Sequence, residues 1–149
     1  MQGQSQGQLN ETGIEQAREL ALRLKDRHID AFVASDLRRS VDTCRILAAP
    51  HAAEVVTTAL LRERDWGSFT GRYIPSLKGE PWSDDIETLD ELMSRARAFL
   101  NYIVETWPDK QVLAVGHGII NKAIQAVHYG KLMRQIERMG NCEVRVLSL

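Results

Sequence analysis

Cysteine is scarce. Cys44 and Cys142 are the only two in 149 residues, they lie far apart, and they fit no metal-ligand spacing. They read as free buried thiols of a reducing compartment. Net charge is nearly absent, at -1, so neither nucleic acid nor a membrane surface would attract the chain globally as its main partner. Long apolar runs are also missing, since none reaches the roughly 20 residues of a membrane span. The first residues are polar and glutamine-rich, unlike a signal peptide. These absences lead to the expectation of a cytoplasmic protein. Internal repeats, linkers and low-complexity tracts are not seen. What is present is a hydrophobic content of 44%, enough for a real core, in a length that suits one domain over residues 1–149.

Residues 1–9 read as a loop. Asn10 suits the N-cap of a following helix, and Leu9 and Ile14 stand where a hydrophobic staple would close over it. Ile14, Ala17, Leu20, Ala21 and Leu24 recur at helical spacing. Ala31–Ser35 reads as a short buried strand, Leu37–Ala49 as a helix ended by Pro50, and Glu54–Thr57 as a second strand. Residues 58–83 have weak periodicity and contain Gly67, Gly71, Pro75, Gly79 and Pro81, which predicts an irregular and functional segment. A long helix is predicted over Asp84–Trp107, with Leu89, Leu92, Ala96, Phe99 and Ile103 on its buried face and Pro108 after it. Gln111–Val115 reads as a very apolar, central strand. Gly118–Tyr129 reads as a helix and Glu143–Leu147 as a weakly alternating last strand. Such alternation predicts an α/β fold, three layers with a mostly parallel sheet between helices. The chain opens on a helix where a βαβ unit would supply a strand first.

Ligands of parallel α/β sheets gather beyond the carboxyl ends of the strands. After the first strand comes Ser35-Asp36-Leu37-Arg38-Arg39-Ser40. Ser35 or Asp36 would cap the helix, which places both arginines in its first turn, against the helix dipole. Either both are solvated and offset by Asp36, or one points at a bound anion. Arginine suits phosphate because its planar fork gives two parallel charge-assisted hydrogen bonds. After the apolar strand comes Gly116-His117-Gly118, opening a helix whose free N–H groups face an anion. The flanking glycines permit close backbone approach. His117 can there be a phosphate ligand, a general acid or base, or a nucleophile. His28, His51 and His128 read as ordinary surface residues. Within Leu60–Gly67, Glu63 either pairs with Arg62 or Arg64 on the surface or is a general acid delivered by a loop. A carboxyl group beside a phosphate dianion is driven toward its protonated form, which suits donation to a leaving oxygen.

Together these segments resemble the histidine phosphatase (phosphoglycerate-mutase-like) family. Leu9–Ala17 is similar to the segment opening its first helix. Ser35-Asp36-Leu37-Arg38-Arg39 matches Ser-x-Leu-x-Arg, with Thr43 in place behind it. Leu61-Arg62-Glu63, with Gly67 and Gly71 downstream, resembles the acid segment. Glu87–Leu92 with Arg95 resembles the start of the long helix, and Val115-Gly116-His117-Gly118 the second histidine motif. The matches run in the family's order over nearly the whole chain.

The resemblance implies a phosphoglycerate-mutase-like three-layer fold and two-step phosphoryl transfer, in which a first histidine is phosphorylated and water then hydrolyses the phosphohistidine. Arg39 and His117 would hold the phosphate. Glu63 would protonate the leaving group and then act as base for water. Gln2, Gly3 and the Gly118 backbone would complete the substrate site. Neither metal nor cofactor is implied, because positive side chains already surround the phosphate. The expected partner is a small phosphorylated substrate, and the oligomeric state is not implied.

The family's Arg-His-Gly signature, which ends its first strand, is missing. Met1-Gln2-Gly3 resembles a stretch downstream of that signature, so Met1 is expected to be an internal methionine of a longer, natural protein. In the family the missing strand lies inside the sheet, so its loss leaves an edge of each neighbouring strand unpaired. The 149-residue chain is therefore expected to be less stable than one with the strand restored, and, lacking the nucleophilic histidine of that signature, to be inactive or impaired. The short segment 58–83 favours a phosphatase; the alternatives are a phosphoglycerate mutase and a non-catalytic phospho-ligand-binding pseudophosphatase.

Overall fold

The computed structural model describes residues 10–67 and 85–149. Residues 68–84, which hold most of the segment expected to be irregular together with Gly71, Arg72 and Lys78, lie outside the described residues, as do Gln2, Gly3 and Leu9. The elements are α1 (Glu11–Leu24), β1 (Ala31–Ser35), α2 (Arg38–Ala48), β2 (Val55–Thr58), α3 (Leu89–Thr106), β3 (Val112–Val115) and α4 (Gly118–Tyr129).

Helix α1 starts where its cap predicts. Asn10 is extended, and its Oδ1 accepts a hydrogen bond from the Gly13 N–H at 2.8 Å. Ala17, Leu20, Ala21 and Leu24 are buried, as their spacing requires. Asn10→Ala is expected to cost about 1 kcal/mol of stability. A urea midpoint unchanged by that substitution would show that the cap does not hold this end of the chain.

The sheet is parallel, in the order β2-β1-β3, with Phe32 level with Val55 on one side and Leu113 on the other. Its two faces are covered by different helix pairs. Phe32 and Ala34 of β1 pack with Leu20 and Leu24 of α1 and with Cys44 and Leu47 of α2. Val33 points the other way, into Leu92, Ala96 and Phe99 of α3 and Ile120, Ala123 and Ile124 of α4. This is the predicted α/β/α layering, and every residue of β1 is buried because both its faces and both its edges are covered.

Several expectations are corrected. The central strand is β1. Strand β3 has no partner on its second edge among the described residues, and Ala114 is exposed on it. Its apolar side chains are only partly covered, Val112 against one core cluster and Leu113 and Val115 against the other, and their composition carried no information on strand order. Residues 143–147 form no strand. Val144 and Val146 are exposed, and the Arg145 side chain ties the segment down, donating to the Gln125 Oε1 (2.9 Å) and to the Glu137 carbonyl (2.8 Å). The long helix begins at Leu89, later than predicted, because Thr88 caps it by accepting from the Glu91 N–H at 3.1 Å. Leu89 is consequently exposed in the first turn. His51 is a scaffold residue: its ring packs 5.2 Å from that of Phe32, and its Nε2–H donates to the Leu24 carbonyl at 3.1 Å. Among the described residues, no helix is long and apolar enough to cross a membrane.

Candidate active site

Ser35 and Gly116-His117 follow from the carboxyl ends of the neighbouring strands β1 and β3, so the sheet brings residues 82 positions apart into contact. Ser35 Oγ and His117 Nε2 lie 2.6 Å apart, both buried. One turn into α2, the Ser40 hydroxyl donates to the Val115 carbonyl at 2.7 Å, which fixes the end of β3 just before the histidine. Burial, together with the nearby charges of Arg39 and Arg95, pushes the His117 imidazole down to about 4. The ring is therefore neutral at pH 7.

Arg39 lies in the first turn of α2, half-buried, and Thr43 holds that turn by donating to the Arg39 carbonyl at 2.9 Å. Burial pulls the Arg39 guanidinium below its ordinary value, and the Glu63 carboxylate opposes the shift. Neither Ser35 nor Asp36 occupies the N-cap position expected of them. Leu37 does, without a side-chain cap. Asp36 instead forms a two-pronged ion pair with Arg62, at 2.7 Å from both Nε and Nη2. The Arg62 hydrogen bonds, outweighing burial, hold the Asp36 carboxyl below its usual range. This pair ties the start of the acid segment to the end of β1.

Glu63 turns onto the first turn of α4. Its Oε2 accepts from the Ile119 N–H at 3.1 Å, and its Oε1 accepts from the Ile120 N–H at 3.0 Å and the Arg64 N–H at 2.9 Å. A negative charge at a helix N-terminus satisfies donors that have no partner inside the helix. Gly118 opens the helix beside it, and a Cβ there would meet only Glu63 Oε2, at 4.0 Å. Among the described residues, nothing else crowds the Gly118 position. At Gly116 a Cβ would crowd the Asn121 side chain, which would have to shift.

The structure therefore gathers Arg39, Glu63, His117 and Gly118 around the N-terminus of α4. The expected substrate contacts Gln2 and Gly3 lie outside the described residues. Residue-by-residue reading missed two groups. One is Ser35 as the partner of His117, detectable as the sole polar residue ending the apolar run Ala-Phe-Val-Ala. The other is the Arg95–Glu87 pair, which organises the acid segment. Arg95 donates to both Glu87 carboxylate oxygens (2.9 and 2.8 Å), to the Leu60 carbonyl (3.0 Å) and to the Arg62 carbonyl. Glu87 in turn accepts from the Asp65 N–H at 3.0 Å, while Arg64 donates to the Glu87 carbonyl at 2.8 Å and stacks over Trp66 at 4.7 Å. The two residues lie two helical turns apart in sequence, too far for a local pairing rule to flag. Among the described residues, no group of three or more His, Cys, Asp or Glu side chains is arranged to hold a metal ion.

Comparison with known proteins bears on the family and the fold. The protein named "Probable phosphoglycerate mutase GpmB" of Proteus mirabilis is 32% identical over 80% of this chain and 62% of its own length. "Uncharacterized phosphatase PhoE" of Bacillus subtilis is 34% identical over 78% of this chain and 62% of its own. The chain thus spans less than two thirds of these relatives. Mycobacterial glucosyl-3-phosphoglycerate phosphatase, in complex with inorganic phosphate, superposes with a TM-score of 0.85 at 25% identity, covering 95% of this chain and 80% of the other. The α-ribazole phosphatase of Shigella flexneri shares the fold, with a TM-score of 0.85 at 21% identity over 95% of this chain and 78% of its own. The family model of the histidine phosphatase superfamily (branch 1) matches residues 1–149, and the chain belongs to that superfamily.

Proposed function

We propose that the complete protein is a phosphomonoester hydrolase acting through a phosphohistidine intermediate, and that these residues form its phosphate-holding half. The observation that carries this reading is the convergence of Arg39, His117 and Glu63, from three distant segments, on the N-terminus of α4. A phosphate there would meet the charged fork of Arg39 and the neutral His117 as a hydrogen-bond donor, with Gly118 leaving room for approach. Glu63 stands at the rim of that space, where it would protonate the leaving oxygen and then accept a proton from water. The two free cysteines suit a cytoplasmic setting.

The 149 residues contain no Arg-His-Gly triplet. On this reading the chain by itself binds phosphate but turns it over poorly or not at all, which makes a non-catalytic phosphate binder the second reading. The names of the relatives also keep phosphoglycerate mutase in view, whereas the short stretch between β2 and α3 favours hydrolysis in a more open site.

Inorganic phosphate at a hundred times its dissociation constant should stabilise the chain by about 2.7 kcal/mol, raising its melting temperature by roughly 5–10 °C. Arg39→Ala should abolish the rise. No rise in the unaltered chain would sink the phosphate reading. Hydrolysis of p-nitrophenyl phosphate should not exceed that of His117→Ala. Clear activity dependent on His117 would assign the attack to a residue within these 149.

A further inference from the structure

A neutral histidine carries its proton on either ring nitrogen, and the nitrogen that bears it is the one that can donate to an anion. In this site the surroundings of Ser35 decide which it is. Ser35 ends β1 with no exposed surface. Its Oγ has two hydrogen-bonding neighbours: the Leu37 N–H, which donates to it at 3.3 Å, and His117 Nε2 at 2.6 Å. A hydroxyl has one proton to give and two lone pairs to offer. The Leu37 N–H occupies a lone pair and cannot receive the proton, which leaves Nε2 as the acceptor. Were Nε2 itself protonated, Ser35 would accept from both neighbours, and its own proton would be stranded at a fully buried position. The low-energy arrangement therefore has Ser35 donating to an unprotonated Nε2, which places the ring proton on Nδ1.

Nδ1 is the open atom. Among the described residues it has no hydrogen-bond partner, yet no buried side-chain nitrogen or oxygen is left unpaired. It therefore keeps some accessible surface, although the residue as a whole is only 9% exposed. The ring is held at its root as well, because Ser40 pins the Val115 carbonyl two residues earlier.

We infer that Ser35 is a positioning residue, whose buried hydroxyl fixes His117 as the Nδ1–H tautomer and thereby sets a hydrogen-bond donor toward the ligand held beside Arg39. The identity of that ligand as a phosphate rests on the function proposed above; the tautomer does not. Ser35 is excluded as a nucleophile by its burial, so the short Ser–His contact is no catalytic dyad of the hydrolase kind. The same geometry disfavours imidazolium, since a protonated ring would take from Ser35 the only acceptor of its hydroxyl proton.

The test is a long-range proton–nitrogen correlation spectrum of the ¹⁵N-labelled chain at pH 7, with His117→Gln identifying the resonances. His117 Nε2 should resonate as an unprotonated imidazole nitrogen and Nδ1 as a protonated one. Ser35→Ala should move the ring to the Nε2–H form or to a mixture, with about a tenfold loss of affinity for inorganic phosphate, and Ser35→Thr should restore the original pattern. An Nε2–H ring in the unaltered chain overturns the inference, whether or not the variants fold. So does an Nδ1–H pattern unchanged in Ser35→Ala. If phosphate moves neither the Nδ1–H resonance nor the melting temperature while the tautomer is as stated, the positioning role stands and the phosphate reading falls.

Discussion

Arg95→Met is expected to destabilise the chain by about 2–3 kcal/mol, less than the loss of one partner costs in a fully buried ion pair because this pair is partly buried. The side chains of Arg95 and Glu87 are only 16% and 11% exposed, so the low value of surface pairs does not apply. Methionine would fill much of the space of the arginine stem but none of its hydrogen bonds. Glu87 would keep the Asp65 N–H, and the carbonyls of Leu60 and Arg62 would lose the guanidinium. Since those carbonyls belong to the segment that carries Glu63, the loss should reach the site as well. The melting-temperature rise on adding phosphate should shrink, and His117 should titrate higher than about 4, though still below its ordinary value because burial is the leading cause of its shift. Glu87→Gln should cost less, as the amide keeps an acceptor for Arg95. The pair also sets an acid limit. Burial raises the Glu87 carboxyl, but the Arg95 hydrogen bond, the Asp65 N–H and the charges of Arg95 and Arg64 outweigh it and hold it below the ordinary 4.5. Its stabilisation is thus present above pH 4.5 and is lost as the pH falls through the depressed folded-state value. Urea midpoints from pH 7 to pH 3 should fall less steeply for Arg95→Met than for the unaltered chain. A melting shift of under two degrees for Arg95→Met would show that the segment holds itself in place.

What the sequence made legible, and what it did not, follows from the range of each interaction. Helix α1 is readable because everything that starts it is local: a cap at Asn10 and apolar residues at fixed spacing. The layering is readable too, because alternation of short buried strands with amphipathic helices admits few architectures. The position of β3 in the sheet is not readable, because the apolar run Val-Leu-Ala-Val says nothing of which edge is paired, and in the structure it is only partly covered. The weak alternation over 143–147 fails for a related reason. A strand needs a partner edge, and here Arg145 binds the segment to α4 and to the loop after it instead. At the site, the arginine and the histidine were visible because their chemistry is rare at strand–helix junctions, as were the flanking glycines. The residues that orient them were not. Ser35 looks like one more strand-ending serine until β3 places His117 beside it, and the Arg95–Glu87 pair holds the acid segment through backbone carbonyls and N–H groups, which leave no trace in side-chain type. The ordered motifs supplied the family, and the geometry supplied the reason for each motif's position.

Glu63→Gln is expected to split stability from anion binding. The carboxylate uses both oxygens on three backbone N–H groups, those of Arg64, Ile119 and Ile120. An amide has one oxygen and one NH₂ group, so at least one of these N–H groups would face another donor. An unsatisfied buried donor costs about 1–3 kcal/mol, and the half-buried position of Glu63 points to the lower part of that range. Affinity for inorganic phosphate should move the opposite way. The carboxylate occupies the helix N-terminus and opposes the positive charge of Arg39, two features that would otherwise favour an incoming anion. Removing its charge should tighten phosphate binding by about tenfold, or 1.4 kcal/mol, with the gain falling as salt is raised. On the proposed function, the same substitution should slow turnover of poor leaving groups far more than of p-nitrophenol, whose departure needs little protonation. Calorimetric titration of the 149-residue variant with phosphate reads the first effect directly. Weaker binding would mean that Glu63 holds the α4 terminus in its receptive geometry and that its charge matters less than its hydrogen bonds. Tighter binding in a less stable chain would mean that the site trades affinity for a proton donor, the arrangement a phosphatase needs and a simple phosphate binder does not.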